Sequence, residues 1–94
     1  MIYRLDFEEN FADDSQDAYD WYENTKPGLG ERFFDAMGKT LEQITKNPEA
    51  FSEKSKNGYR EASLNIFPYR IAYKIYKKSN TILINSIYHT SRNP

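Results

Sequence analysis

The sequence contains no cysteine and only one histidine, and these scarcities exclude several kinds of site. Without cysteine there is no disulfide framework and no thiolate chemistry. A single histidine with no cysteine argues against a structural zinc site, which needs about four such ligands. No glycine-rich phosphate loop is present either. We therefore expect a protein without metal or organic cofactor.

Long apolar runs are also missing. No segment approaches a membrane span, and the N-terminal MIYRLDFEEN lacks the hydrophobic stretch of a signal peptide. The 94 residues are enough for one domain with a modest core. We expect a single domain over residues 1–94 that is soluble and cytoplasmic and has no membrane partner.

The net charge of −1 conceals an uneven distribution along the chain. Residues 1–53 carry 13 acidic and five basic side chains, a balance of −8; residues 54–94 carry one acidic and eight basic side chains, a balance of +7. Such an asymmetry suggests a surface that attracts a polyanion or an acidic partner. The alternative is that the two halves attract each other within one fold.

Hydrophobic periodicity predicts a first strand over residues 2–7 and then a helical hairpin. The first helix has N-cap candidates Asp13, Asp14 and Ser15 and an apolar stripe of Phe11, Ala18, Trp21 and Tyr22. PGLG (27–30) ends it. Apolar residues then recur at steps of three and four up to Ile44, and Asn47-Pro48 ends the second helix.

Three strands are predicted after a polar loop at 49–58. The first covers 59–66, with Ala62, Leu64 and Ile66 on one face. The next places residues 67, 69, 71, 73 and 75 toward a core and leaves Arg70, Lys74 and Tyr76 outside.

KKSN (77–80) turns the chain into a last strand at 81–89, with residues 82, 84 and 88 on one face and 83 and 87 on the other. Because this strand is apolar on both faces, we expect it at the centre of the sheet. The fold class is α+β, a helix hairpin packed on a mainly antiparallel four-stranded sheet in the order β-α-α-β-β-β.

The residues that could do chemistry are cationic or aromatic and lie in the C-terminal half: Lys54, Lys56, Arg60, Arg70, Tyr73, Lys74, Tyr76, His89 and Arg92. Adjacent strands are expected to bring Arg70 near His89. Such groups bind phosphate, stabilise a charged transition state and move a proton near neutral pH, so a metal-free ribonuclease is chemically possible.

Five of these residues also have a structural interpretation. Arg70 and Lys74 can be ordinary solvent-facing side chains, and Arg60 can pair with an acidic residue of the helices. Tyr73 is expected in the core, and a histidine at a strand end is often structural.

Six segments together resemble the RelE/ParE superfamily of bacterial toxins. They are A-Y-D-W-Y-E (18–23), P-G-L-G-E-R-F (27–33), I-x-x-N-P-E-A-F (44–51), Y-R-E-A-S-L (59–64), F-P-Y-R-I-A-Y-K-I (67–75) and I-Y-H-T-S-R-N-P (87–94). They cover nearly the whole chain in the family's order. The resemblance implies the toxin of a type II toxin–antitoxin pair, blocked by a cognate antitoxin.

Two activities follow from this resemblance. The ParE-like branch inhibits DNA gyrase without catalysis, and the long first helix, the PGLG turn and the short ending after His89 favour it. The RelE-like branch cleaves mRNA on the ribosome, for which Arg60, Arg70 and His89 match the catalytic set. In either branch, the residues expected to bind the target or the antitoxin are Lys54, Lys56, Lys74, Tyr76 and Arg92. A third alternative is an inactive toxin fold that only binds its antitoxin.

Overall fold

The computed structural model describes residues 3–54 and 57–91. Within them the elements are β1 (Arg4–Phe7), α1 (Glu9–Thr25), α2 (Leu29–Lys46), β2 (Tyr59–Ser63), β3 (Tyr69–Tyr76) and β4 (Thr81–His89). Single 3-10 turns at Pro48–Ala50 and Lys77–Ser79 lie in the connections. The predicted β-α-α-β-β-β order and the α+β class are confirmed.

The strands form one sheet in the order β1-β4-β3-β2. The pairs β2–β3 and β3–β4 are antiparallel, whereas β1 and β4 run parallel. β4 therefore has neighbours on both sides, as its two-sided apolar sequence predicted. The helices cover one face of the sheet, which we call the inner face, and the opposite face, which we call the outer face, is open.

The turn between the helices depends on its glycines. Gly28 has φ +90°, a conformation that other residues adopt only with strain. The Glu23 carboxylate accepts hydrogen bonds from the N–H groups of Gly28 at 3.0 Å and Gly30 at 2.9 Å, and so caps the start of α2. A Cβ at Gly30 would lie 2.9 Å from that carboxylate. The break predicted at PGLG is confirmed.

The predicted start of the first helix at Asp13–Ser15 is wrong. α1 begins at Glu9 with Glu8 as N-cap, and no side chain caps it. The Phe7 and Phe11 rings lie 5.2 Å apart, and the Glu8 N–H donates to the Ile84 carbonyl oxygen at 3.0 Å. The packing of these two rings and this bond to β4 fix the helix start, and neither can be read from local capping preferences.

The predicted apolar stripe of α1 needs one correction. Phe11, Ser15, Ala18 and Tyr22 are buried, but Trp21 is 64% exposed. Tyr22 is the residue that contacts Phe33 and Phe67 in the core. Since adjacent helical residues point about 100° apart, burying Tyr22 turns Trp21 outward.

The apolar side of β3, together with Phe67 just before it, lies in the core as predicted. Phe67, Tyr69, Ile71 and Tyr73 are buried, and Ile75 packs against them. The Tyr73 hydroxyl donates to the Pro48 carbonyl oxygen at 2.6 Å, and burial raises the pKa of Tyr73 to about 12. This bond ties the end of α2 to the middle of the sheet.

The third prediction that fails is the extent of β2, which ends at Ser63 rather than at residue 66. The Phe67 N–H donates to the Asn65 carbonyl oxygen at 2.8 Å, and Ile66 has φ +75°. These values describe a γ-turn of the rare strained type centred on Ile66. Ile66 is 77% exposed instead of lying beside Ala62 and Leu64, because the chain reverses here before Pro68.

Candidate functional site

The outer face of the sheet carries a polar cluster, which we call the outer cluster. It consists of Glu61 from β2, Arg70 from β3 and Tyr88 from β4. Arg70 of β3 is paired in register with Ser63 of β2 and Tyr88 of β4. Its Nη1 lies 3.6 Å from Oε1 of Glu61. Burial and a hydrogen bond with Glu61 raise the pKa of Tyr88, while the Arg70 guanidinium acts in the opposite direction. The cluster therefore has no net charge at neutral pH.

Lys74, also on the outer face, has a different environment. Its Nζ lies 5.5 Å from the centre of the Tyr59 ring and 5.6 Å from that of Tyr76. Both distances are within the range of cation–π attraction. Within residues 3–54 and 57–91, Lys74 forms no salt bridge. The predicted outward orientation of Lys74 and Tyr76 is confirmed, and the three side chains form a cationic and aromatic platform.

The Arg60 side chain binds the loop that precedes β2 and is mostly buried. Its Nη1 donates to the Phe51 carbonyl oxygen at 2.5 Å and to that of Glu49 at 3.4 Å. Its Nη2 lies 3.4 Å from Glu53 Oε1, and only 16% of its side chain is exposed. The guanidinium is therefore occupied by the chain's own oxygens, and the acid it pairs with belongs to the loop and not to the helices.

His89 lies on the inner face, on the opposite side of the sheet from Arg70. It is paired in register with Tyr69, and the two rings meet edge to face at 5.2 Å. Nδ1 of His89 accepts a hydrogen bond from the Ser91 N–H at 3.1 Å. The expectation that neighbouring strands bring Arg70 and His89 together is wrong, although the residues are only one register position apart.

A β-bulge accounts for this separation. Between β3 and β4, Ala72 is paired with Ser86 and Tyr73 with Ile84, so Asn85 is the extra residue. An extra residue reverses the alternation of side chains beyond it. Ile87 and His89 therefore point inward and Tyr88 outward, which corrects the predicted grouping of Tyr88 with Ile82 and Ile84.

His89 borders a groove of about 760 Å³ between α1 and the end of β4. Asp14, Asp17 and Trp21 line one wall, and Pro68, Tyr69 and His89 line the other. This histidine thus faces acidic residues, whereas phosphate chemistry requires cations.

The remaining predicted site residues are dispersed. Lys54 is exposed, and its N–H donates to the Tyr59 carbonyl oxygen at 2.9 Å. Lys56 and Arg92 lie outside the described residues. The structure therefore brings Arg70 and Lys74 to one face, places Arg60 and His89 on the other, and leaves Lys54 in the loop.

Two members of the outer cluster, Glu61 and Tyr88, were not among the predicted site residues. A signal for Glu61 existed, because it is the single acidic residue of positions 54–94 and alternates onto the outward side of its strand. No such signal marked Tyr88, whose orientation depends on the bulge.

The described part of the chain contains no group of three His, Cys, Asp or Glu side chains that could hold a metal ion. Neither helix in these residues has both the length and the apolar composition needed to cross a bilayer.

The comparison with protein families decides the assignment. The model of the ParE toxin of the type II toxin–antitoxin system parDE matches residues 5–94. The chain belongs to this family. It is a type II toxin of the ParE kind within the RelE/ParE superfamily, as the sequence motifs predicted. Among curated protein sequences, no match is found.

Solved structures show the same ParE-type fold. The chromosomal ParDE toxin–antitoxin system from P. aeruginosa matches with a TM-score of 0.80 at 16% identity, covering 94% of this chain and 96% of that one. The isolated E. coli RelE toxin matches with a TM-score of 0.71 at 19% identity, covering 97% and 87%. The intact E. coli RelBE toxin–antitoxin complex matches with a TM-score of 0.70 at 19% identity, covering 93% and 95%. At these identities the structural similarity shows the fold alone.

Proposed function

We propose that this ParE-family toxin inhibits growth by binding DNA gyrase rather than by cutting RNA, and that a cognate antitoxin restrains it. The observation that carries the proposal is the separation of Arg70 from His89 by the sheet. A metal-free ribonuclease needs its phosphate clamp and its acid or base within hydrogen-bond reach of one phosphate. A sheet standing between these two residues is unsuited to that chemistry.

The environment of Arg60 supports the same proposal. A phosphate clamp must offer free N–H donors to its ligand. The Nη1 of Arg60 is already directed at the Phe51 and Glu49 carbonyl oxygens. Of the three residues that matched the nuclease set, Arg70 is the one on the outer face, and Glu61 lies beside it.

An antitoxin partner is supported by the structural relatives. The ParDE system of P. aeruginosa and the RelBE complex of E. coli are both toxin–antitoxin systems. We infer that this chain is likewise made with an antitoxin that covers its target-binding surface. Lys54, Lys74 and Tyr76 remain the proposed binding residues of that surface, together with Lys56 and Arg92 outside the described residues.

The test combines induction in cells with a gyrase assay. Expressed without antitoxin, the chain is expected to arrest growth and cause filamentation and DNA breaks while mRNA stays intact. The purified toxin should inhibit supercoiling of relaxed plasmid by gyrase, and Arg70→Ala and His89→Ala should retain this inhibition. Loss of intact mRNA on induction, abolished by either substitution, would overturn the proposal. No effect on growth would favour an inactive toxin fold.

One observation favours ribosome-dependent RNA cleavage as a second candidate. Arg70 and Tyr88 stand side by side on the open face. Because its pKa is raised, the Tyr88 hydroxyl stays protonated near neutral pH and little phenolate is available to act as a base, which limits this candidate. If the chain cleaves RNA, Tyr88→Phe should abolish that cleavage. If it acts on gyrase instead, Tyr88→Phe should leave gyrase inhibition unchanged.

A further inference from the structure

The outer face has most of the features of a surface that binds single-stranded nucleic acid. Such surfaces combine cations that follow the phosphates with aromatic rings on which bases stack. Arg70 and Lys74 lie on the outer side of β3, four residues apart. At the usual rise of a strand, their Cα atoms are about 13 Å apart. Tyr59, Tyr76 and Tyr88 surround them on the same face.

One residue opposes that function. The Glu61 carboxylate lies 3.6 Å from the Arg70 guanidinium, and its side chain is 22% exposed, against 44% for that of Arg70. The acid thus lies deeper in the face than the cation, where water screens its charge less. A phosphate that approached the Arg70 guanidinium would therefore be repelled by the negative charge of the Glu61 carboxylate beside it.

We propose that Glu61 is a specificity-determining residue that occupies Arg70 and closes the outer face to nucleic-acid phosphates. The carboxylate acts as an internal counter-ion, so the face keeps its aromatic side chains while the Arg70 guanidinium is neutralised. This inference rests on the proposed function and deepens it, because it gives a reason why the outer face of a gyrase-binding toxin would not hold RNA. It can fail independently of the gyrase proposal, since its test uses RNA and no gyrase.

The chain offers a matched control for the test. Asp6 also points outward, on β1, and pairs with Arg4 at 3.4 Å. Glu61→Gln and Asp6→Asn therefore each remove one negative charge from a salt bridge on the same face. They differ in which arginine is released.

The experiment measures binding of a fluorescent single-stranded RNA 20-mer to the full-length chain as a function of salt. Glu61→Gln is expected to bind on the order of tenfold more tightly than the wild type and Asp6→Asn. It frees Arg70 beside the tyrosine rings of the face, whereas Arg4, whose side chain is already 71% exposed, gains little from the loss of Asp6. For Glu61→Gln, the plot of log affinity against log salt should steepen by about 0.7, the contribution of one phosphate on a single strand. The double variant Glu61→Gln/Arg70→Gln should lose the gain.

The proposal is overturned if Glu61→Gln and Asp6→Asn bind RNA equally, or if the gain survives in the double variant. Circular dichroism checks that each variant folds, and Glu61→Thr, a residue suited to strands, provides a second test with the same expectation. An independent readout is the Tyr88 hydroxyl: its pKa should fall in Glu61→Gln, since the hydrogen bond that raises it is weakened and Arg70 remains. An unchanged Tyr88 titration would contradict the contact between Glu61 and the cluster.

Discussion

On the inner face of the sheet, Arg60 and Tyr73 donate hydrogen bonds to backbone carbonyl oxygens, whereas on the outer face Arg70 and Lys74 contact other side chains. Arg60 and Tyr73 are partners in the β2–β3 register, and both donate to carbonyls of the segment after α2. Arg70 instead pairs with Glu61, and Lys74 lies between two tyrosine rings. The hydrogen bonds of Arg60 and Tyr73 join separate segments of the fold, whereas the outer contacts lie at a partly exposed surface.

The difference follows from burial. A backbone carbonyl taken out of water must receive a hydrogen bond, so a side chain that supplies it stabilises the fold. A half-exposed salt bridge contributes little, because water screens it and competes for both ions. Arg60 and Arg70 therefore have different roles, and substituting each of them should lower the stability by different amounts.

The largest expected effect is at Arg60. Arg60→Ala should lower the free energy of unfolding by about 2 kcal/mol, because it removes charged donors from the Phe51 and Glu49 carbonyls. Arg70→Ala is the matched variant and should cost less than about 1 kcal/mol. Urea denaturation followed by circular dichroism measures both. Equal losses would contradict the distinction between the two faces.

The next effect is at Tyr73, and it depends on pH. Tyr73→Phe should cost about 1–2 kcal/mol at pH 7, because the buried Pro48 carbonyl loses its donor. Burial raises the folded-state pKa of Tyr73 from 10.0 to about 12. The unfolded chain therefore releases this proton first as the pH rises. The stability that the neutral hydroxyl contributes is complete below pH 10 and is lost between about 10 and 12.

The measurement for Tyr73 is the unfolding free energy of wild type and Tyr73→Phe from pH 8 to 12. Between pH 10 and 12 the advantage of the wild type should shrink by up to about 1.4 kcal/mol per pH unit. Tyr19, whose pKa is also raised to about 12 by its bond to Glu31, is present in both proteins and cancels in the difference. Parallel pH profiles would mean that Tyr73 ionises as easily in the fold as in the unfolded chain.

The smallest expected effect is a gain at Ile66, an apolar residue that lies outside the core. Ile66→Asn should raise stability by about 1 kcal/mol, because asparagine tolerates positive φ and a β-branched residue does not. Ile66→Val keeps the branching and should give no gain. Thermal unfolding of the three proteins compares them. A loss in Ile66→Asn would show that the exposed side chain stabilises the fold after all.

Local pattern was enough to predict much of the fold. The turn at PGLG, the inner face of β3 and the central place of β4 each follow from composition and periodicity. The site was predicted less completely. The outward orientation of Arg70, Lys74 and Tyr76 followed from alternation along one strand. Glu61, Tyr88 and Tyr59, which contact these residues, lie on other strands, so alternation along β3 could not predict them.

The order of the elements, the breaks in the helices and the buried side of β3 could be predicted from local pattern, because each depends on neighbours a few residues away. The start of α1 at Glu9, the bulge at Asn85 and the contact between Glu61 and Arg70 arise only in the folded chain. Each depends on packing or register between separate segments. One extra residue in β4 is enough to exchange Tyr88 and His89 between the faces, since side chains alternate with a period of two.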